Sequence, residues 1–471
     1  MTFNLIVKQI RTHLLLLICV FHFISCAQST IPTEGWDNLD NILHEINAPV
    51  FSDKVYDVTS YGAVGDGKID CTEAFKSAID ECNKNGGGKV IVPEGSYLTG
   101  PIHLKSNVNL HISENAVVLF SKDISKYLPV VFTRWEGVEC MNYSPLIYAY
   151  EQENIAITGK GIFDGQGSNN NWWSWKGRKE YGWEDGFPDQ IEDRNELFRL
   201  AEGNIPPEQR VFGKGHYLRP NFIQPYKCKN VLIEGVTFKN SPMWFIHPVL
   251  CNNVIVSNVT VEGLGPNNDG CDPESSKNVL IKNCFFNTGD DCIAIKSGRN
   301  TDGRRVNVGS ENIVIQDCRM KEGHGGVVMG SEISGGVRNI FAENCLMDSP
   351  NLDRAIRIKT NAVRGGTVES IYVRNIKVGQ VKEAVLKINF YYEEGENGVF
   401  IPTVKNIHLD NINSLKSPYA IWIKAFDDSP VIGLHLKDCQ FSNVEKKNII
   451  ENVKDLTMES VFINGEEISI D

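Results

Sequence analysis

The chain has 471 residues, of which 41% are hydrophobic and 23% charged, and its formal net charge is −12. These are globular values, with enough length for one large core or two to three ordinary domains. With no basic excess to neutralise phosphates, nucleic acid and an anionic membrane surface are excluded as partners. An acidic ligand stays possible, because a few cations in one cleft decide binding there.

Residues 1–26 read as an export signal. Lys8 and Arg11 precede an apolar stretch over 14–24, interrupted by His22 and too short to span a bilayer as a mature helix. Ser25-Cys26-Ala27 follows, which resembles a bacterial lipoprotein signal in which Cys26 becomes the lipidated first residue. Phe23 stands where that pattern usually has Leu, and the same run also fits ordinary cleavage after small residues. Either reading places the mature chain outside the cytoplasm: periplasmic, on the outer membrane or cell surface of a bacterium, or secreted. Membrane contact is expected only through a lipid on Cys26.

Further along, the residues from Ala74 to Cys82 form an amphipathic helix, followed by the breakers Asn85 to Gly88 and a strand from Lys89. A repeat then dominates. Units begin at Asn230, Asn253, Asn278, Asn312, Asn339, Asn406 and Gly433, with weaker copies near Asn107, Asn154, Ser370 and Asp455. Each unit alternates apolar residues at period two, turns on an Asn, Asp or Gly, and continues into a second short strand. Such units suit an all-β, single-stranded right-handed parallel β-helix over 55–471, with the helix as its N-terminal cap. The leucine-rich and propeller signatures are missing. Residues 166–219 interrupt the repeat with a Trp-rich, charged insertion that either stacks on a ligand or packs the loop.

Two of the thirteen cysteines, Cys19 and Cys26, belong to the signal, so the eleven others include at least one unpaired thiol. Cys284, Cys318, Cys345 and Cys439 each lie six residues into a unit, which predicts a stacked column of small buried hydrophobes rather than disulfides. No Cys-x-x-Cys pair suggests zinc, and no cofactor or metal is expected.

Short polar clusters sit at comparable phase on successive units. They are Asn267-Asn268-Asp269, Gly289-Asp290-Asp291, Gly323-His324-Gly325 and Arg357-Ile358-Lys359. One such Asp alone would be a solvated turn residue, His324 alone a turn cap, and Arg357 with Lys359 alone a surface salt-bridge row, since Lys387 and Lys424 recur at aligned positions. Together they place acids, an imidazole and a cationic pair along one groove. Three clustered carboxylates repel, which raises at least one pKa enough to hold a proton near neutral pH. Gly289 is expected to permit a turn that brings both following aspartates to the cleft.

These four ordered motifs resemble those of glycoside hydrolase family 28, the polygalacturonases. The resemblance extends to Arg219-Pro220, to the run from Asn240 to Trp244 and to the run from Tyr61 to Gly67. Asn268 departs from the family's usual Thr. The resemblance implies a right-handed parallel β-helix that hydrolyses α-1,4 galacturonic acid links in pectin with inversion and without metal. On that basis Asp290 is the general acid, Asp269 and Asp291 activate water, and His324 supports the acid. Arg357 and Lys359 bind substrate, an acidic plant polysaccharide; one coil on, Tyr391, with Tyr392 beside it, is a further substrate-binding candidate, and the protein is expected to act as a monomer. Inverting pairs typically leave about 6.5–9.5 Å between carboxyls for the water. The long insertion favours exo attack. Rhamnogalacturonan or xylogalacturonan hydrolysis in the same family, calcium-dependent elimination by a pectate lyase, and a non-catalytic adhesin solenoid are the alternatives.

Overall fold

A computed structural model describes residues 35–468; the expected signal over 1–26 lies outside them. The chain divides into two compact units, residues 1–38 and 39–471, and the coils belong to the second.

The repeat winds a right-handed parallel β-helix. One face stacks Lys229–Glu234, Asn252–Ser257, Lys277–Lys282, Ser310–Gln316 and Val337–Glu343, each parallel to the next. In register along this face, Val231, Val254, Val279, Ile313, Ile340, Ile371, Ile407 and Leu434 form one apolar column, and all are buried. A second face carries a column of Phe163, Phe238, Val261 and Phe286, with the first two rings stacked at 5.3 Å. Burying such columns from neighbouring coils is what lets strands of three to seven residues stand without a hairpin partner.

The repeat pattern does not distinguish a third face, and that face carries the chemistry. Ile293–Ile295, Val327–Met329, Arg354–Lys359, Ala384–Asn389, Tyr419–Lys424 and Ile449–Glu451 form its parallel sheet. Single bridges extend it backwards from Ile293 to Cys271, Ile246 and Ile223.

The unit-starting Asn residues have a shared physical reason. Asn107, Asn154, Asn230, Asn253, Asn278, Asn312 and Asn339 all have φ between 54° and 64°, a left-handed conformation that Asn tolerates best among side-chain-bearing residues. There the carboxamides form a ladder: Asn154 donates to Asn107 at 3.0 Å, Asn230 to Asn154 and Asn253 to Asn230 at 2.8 Å, Asn312 to Asn278 at 2.9 Å and Asn339 to Asn312 at 3.1 Å. At Asn253 the ladder is diverted. Its oxygen accepts from the Asn47 backbone at 2.9 Å, and Asn278 turns to Asn252 instead.

The helix Thr72–Lys84 closes the first coils with Phe75, Ala78, Ile79 and Cys82 fully buried. At the other end Glu466–Glu467 folds back antiparallel on Phe462–Ile463. All eleven cysteines among the described residues are buried and free.

Residues 165–222 leave the coils. They contain the helix Ile191–Glu202 and the strand Val211–Phe212, which adds to a hairpin of Val131–Trp135 and Val138–Asn142. Trp135, Leu197, Phe212, Leu218, Met243 and Trp244 join the two in a core separate from that of the coils. The tryptophans pack the loop: Trp172 is buried between Tyr127 and Trp175, Trp175 meets Tyr217, Trp173 donates to the Ser241 carbonyl, and Trp183 donates to that of Phe187. Arg219, fully buried, ties the insertion to two coils. Its guanidinium donates to Gln190 at 2.9 Å, to the Pro242 and Pro266 carbonyls at 2.8 and 2.7 Å, and to Asn267 at 2.8 Å.

Two outcomes are expected. Asn312→Ala removes two ladder contacts and leaves an alanine at φ 56°, a loss of about 2–3 kcal/mol in denaturant unfolding. Asn312→Gly loses the same contacts without the backbone strain and recovers about 1 kcal/mol of that; equal losses would show that the ladder, not the conformation, carries the effect. Arg219→Met deletes charge-assisted bonds worth roughly 1.5–3 kcal/mol each, so protease cleavage within 166–219 accelerates at least tenfold while far-ultraviolet dichroism of the coils is kept. Unchanged cleavage would show that the separate hydrophobic core alone holds the insertion.

Candidate active site

A cavity of about 690 Å³ opens on the third face. Its floor comes from coils and one wall from the insertion. Lys176, Arg178, Tyr181 and Arg194 of the insertion line it together with Trp244, Asp269, Asp290, Lys296, Arg299, His324, Glu332, Arg357, Lys359 and Tyr392.

Register explains how distant residues meet. Cys271 is bridged to Ile293, so two residues earlier Asp269 lies beside Asp291, about one strand spacing of 4.8 Å away. Val328 pairs with Arg357 in the sheet that continues from Ile293–Ile295, which brings the cations over two coils to the acids. One oxygen from each of Asp269, Asp290 and Asp291 lies within 4.8 Å of the others. These are nearest-oxygen distances: Asp269 and Asp291 approach because their coils are adjacent, and Asp290 and Asp291 because they are consecutive on one coil.

Local backbone details aim the three acids. The Asn268 amide donates to the Ser241 and Met243 carbonyls at 3.0 Å and its oxygen accepts from Gly265 at 3.1 Å. It thereby pins the turn that presents Asp269, so Asn at this position has a structural use. Gly289 serves by close approach rather than by an unusual φ, because a Cβ there would lie 2.2 Å from the Gly265 carbonyl oxygen. Gly323, at φ 147°, passes so near that its Cβ would meet the Asp290 carbonyl oxygen at 2.4 Å.

Charge is distributed unequally over the cluster. Lys359 donates to Asp291 at 2.7 Å and Arg357 lies 3.5 Å from its other oxygen. Burial pushes the Asp291 carboxyl up, but Lys359 and Arg357 hold it below the usual carboxylate range. Asp290 pairs with His324 Nδ1 at 2.8 Å; its burial is likewise outweighed, by His324, and its carboxyl is held low. In return Asp290 raises His324 to about 9. Asp269 differs. Burial, then Asp290 and Asp272, push it well above the usual range, and its Oδ1 is buried without a partner. One pKa in the cluster is therefore lifted, chiefly by burial with repulsion as the smaller cause, and the group lifted is Asp269 rather than the expected acid Asp290.

Of the seven expected site residues, six converge here. Tyr391 does not: its ring packs edge-on against Phe426 and its hydroxyl donates to Glu396 at 3.0 Å. Its neighbour Tyr392 takes the place, with Arg357 and Lys359 over its ring at 5.5 and 5.4 Å. Both tyrosines lie in the irregular segment after the strand Ala384–Asn389, where no period in the sequence marks which of the pair faces the cavity.

Four further groups at the site escape the sequence motifs. Lys296, buried over the Trp244 indole at 4.4 Å, lies 3.7 Å from Asp269 and 3.3 Å from Glu332. Glu332 also pairs with Arg299 at 3.2 Å. Asp272 is fully buried with neither carboxylate oxygen partnered, and burial pushes it well above the usual range, as a neutral acid. Lys296 and Asp272 are legible in retrospect, as outward positions of Gly270-Cys271-Asp272 and of Ile293 to Lys296; Arg299 and Glu332 lie in loops with no periodic signal.

Known proteins share this architecture. Residues 211–461, more than half of the chain, match the family described as Glycosyl hydrolases family 28, and residues 55–111 match one described as Rhamnogalacturonase A/epimerase, pectate lyase-like. The crystal structure of a hyperthermoactive exopolygalacturonase from Thermotoga maritima is 46% identical, with a TM-score of 0.90 over 93% of this chain and 97% of that one. An exo-poly-alpha-D-galacturonosidase of Dickeya chrysanthemi is 26% identical over 88% of this chain and 75% of its own length. A probable polygalacturonase of Vitis vinifera is 29% identical over 80% and 72%. The chain belongs to glycosyl hydrolases family 28, as a glycoside hydrolase of the polygalacturonase type.

Proposed function

We propose that the protein is an exo-acting polygalacturonase, releasing galacturonate from the end of α-1,4-linked galacturonan with inversion. The observation that carries this reading is the three-aspartate cluster beside Arg357 and Lys359 in one cavity walled by the insertion. Two cations near the acids suit the planar carboxylate of a galacturonate at the scissile bond, because such charge-assisted contacts are strong and directional. A wall across one side suits a chain end rather than a chain middle, and the 46% identical relative is an exopolygalacturonase.

In this reading Asp290 is the general acid, and its proton rests on His324 until substrate arrives. The imidazolium at 2.8 Å passes the proton through Asp290 to the glycosidic oxygen as the C–O bond breaks. Asp291, kept ionised by Lys359 and Arg357, takes the proton of the attacking water. Asp269 holds a proton of its own in the resting protein, so it orients the water beside Asp291 and can share the base role only once that proton has left. The cluster titrates as a unit rather than as three independent acids. Inversion rests on family membership, since carboxylates this close do not by themselves dictate it.

The same three acids could ligate a cation, but Lys359, Arg357, Lys296 and the charged His324 surround them and oppose a dication. This disfavours calcium-dependent elimination. Residues 55–471 are the catalytic domain in this reading, acting as a monomer outside the cytoplasm on pectin, whether secreted or tethered through Cys26.

Timed product analysis on oligogalacturonides in excess chelator is the direct test. Galacturonate alone at early times, formed first as the β anomer by NMR, is the expected result. Mixed lengths would make the enzyme endo-acting, unsaturated products would make it a lyase, and an initial α anomer would replace water activation by a covalent intermediate.

The pH profile follows from His324. Its pKa is raised, so the proton it supplies is present below about 9 and is lost as pH rises through that value. kcat/KM should fall above about pH 9. His324→Ala should bring the alkaline limb to lower pH and reduce the plateau by about 10²-fold, the lower end for general acid catalysis. An unmoved limb would remove His324 from proton delivery.

A further inference from the structure

We infer that the third face continues beyond the cavity as a binding track for the polygalacturonate chain that trails from the active site, centred on Trp422. The inference deepens the proposed function and rests on it.

Register sets the place. Arg357 pairs with Lys387, and Lys387 pairs with Trp422, so the three occupy one column across consecutive coils. Lys359 likewise leads through Asn389 to Lys424. At about 4.8 Å per coil, Trp422 stands roughly 10 Å beyond the cationic pair along the coil axis. The insertion is anchored on the opposite side, at Ser241, Pro242, Pro266 and Asn267. A chain whose end enters against that wall therefore has its remainder over Lys387 and Trp422.

Surface chemistry fits the same ligand. The Trp422 indole is half-buried, with Lys387 Nζ 4.3 Å and Lys424 Nζ 5.8 Å from its ring. Next to it Lys446 lies 5.2 Å from the Tyr419 ring. Aromatic surface takes the apolar face of a pyranose, and ammonium groups beside it take the carboxylates that recur along galacturonan. Lys387 and Lys424 also pair with Glu383 and Glu451, so a sugar carboxylate would join or displace those partners beside the ring. The track would add affinity for polymer without touching the reacting atoms.

The test compares polygalacturonate with digalacturonate, which is too short to reach Trp422. In Trp422→Ala, kcat/KM on polygalacturonate should fall about three- to tenfold, the scale of one lost aromatic contact, while that on digalacturonate stays within about twofold. Lys424→Glu, at a partly exposed position whose ammonium meets Glu451 and the Trp422 ring, should show the same split and guards against misfolding of the tryptophan variant. Equal losses on both substrates, or none on the polymer, would overturn the track. Were the unsubstituted enzyme to cleave neither substrate, the functional reading would fail by itself. Calorimetric binding of polygalacturonate to the same variants would still decide the track: weaker binding supports it and unchanged binding overturns it.

Discussion

The spacing between stacked strands governs this molecule. A parallel coil places the next residue of equal phase about 4.8 Å away, so any side chain repeated at one phase becomes a continuous column. Valine and isoleucine columns make the core, asparagine columns bridge the turns, and cysteines at one phase are buried as hydrophobes rather than oxidised. The catalytic cluster obeys the same spacing. Asp269 and Asp291 are close because their coils are adjacent; burial, with Asp290 and Asp272 adding to it, raises the pKa of Asp269, while cations from two coils away keep Asp291 ionised.

That cluster would be costly in isolation, since buried charge is tolerated only when compensated. The surrounding ion pairs supply the compensation. Arg134 lies 3.2 Å from Glu274, which meets His247 at 2.7 Å, while Lys296 joins Asp269 to Glu332 and Arg299 joins Glu332 to Glu393. These groups come from the 131–142 hairpin, the coils and the loop after Asn389, so the insertion side of the cavity is held by electrostatics as much as by packing. A polar, rigid wall of this kind keeps its shape when an anionic sugar displaces water.

Much of this is legible in the sequence because it is periodic. Units beginning at Asn230, Asn253, Asn278, Asn312 and Asn339 mark the solenoid, and clusters at one phase mark Asp269, Asp290, Asp291, His324, Arg357 and Lys359 as cavity neighbours. The remainder depends on facts with no period. The hairpin at 131–142 pairs with Val211–Phe212 across a long insertion, and Arg299 and Glu332 reach the site from loops. Tyr391 and Tyr392 differ only in which way one residue faces. Asp272 carries no outward sign of being neutral, because that follows from burial with no partner.

One contact stands apart from these local ones. The Asn47 backbone and the Asn253 side chain exchange hydrogen bonds across 206 residues of sequence, whereas neighbouring coils join residues only a few tens apart. The adjoining helix Leu39–Glu45 lies against the strands Lys277–Lys282 and Ser310–Gln316. Its binding surface does not exist until those coils have wound. In an architecture that assembles by nearest-neighbour propagation, such a non-local latch carries the greatest loop-closure entropy. The segment therefore closes last on folding and opens first on unfolding, so amide exchange at Asn47 reports release of the latch while the coils beneath it stay wound.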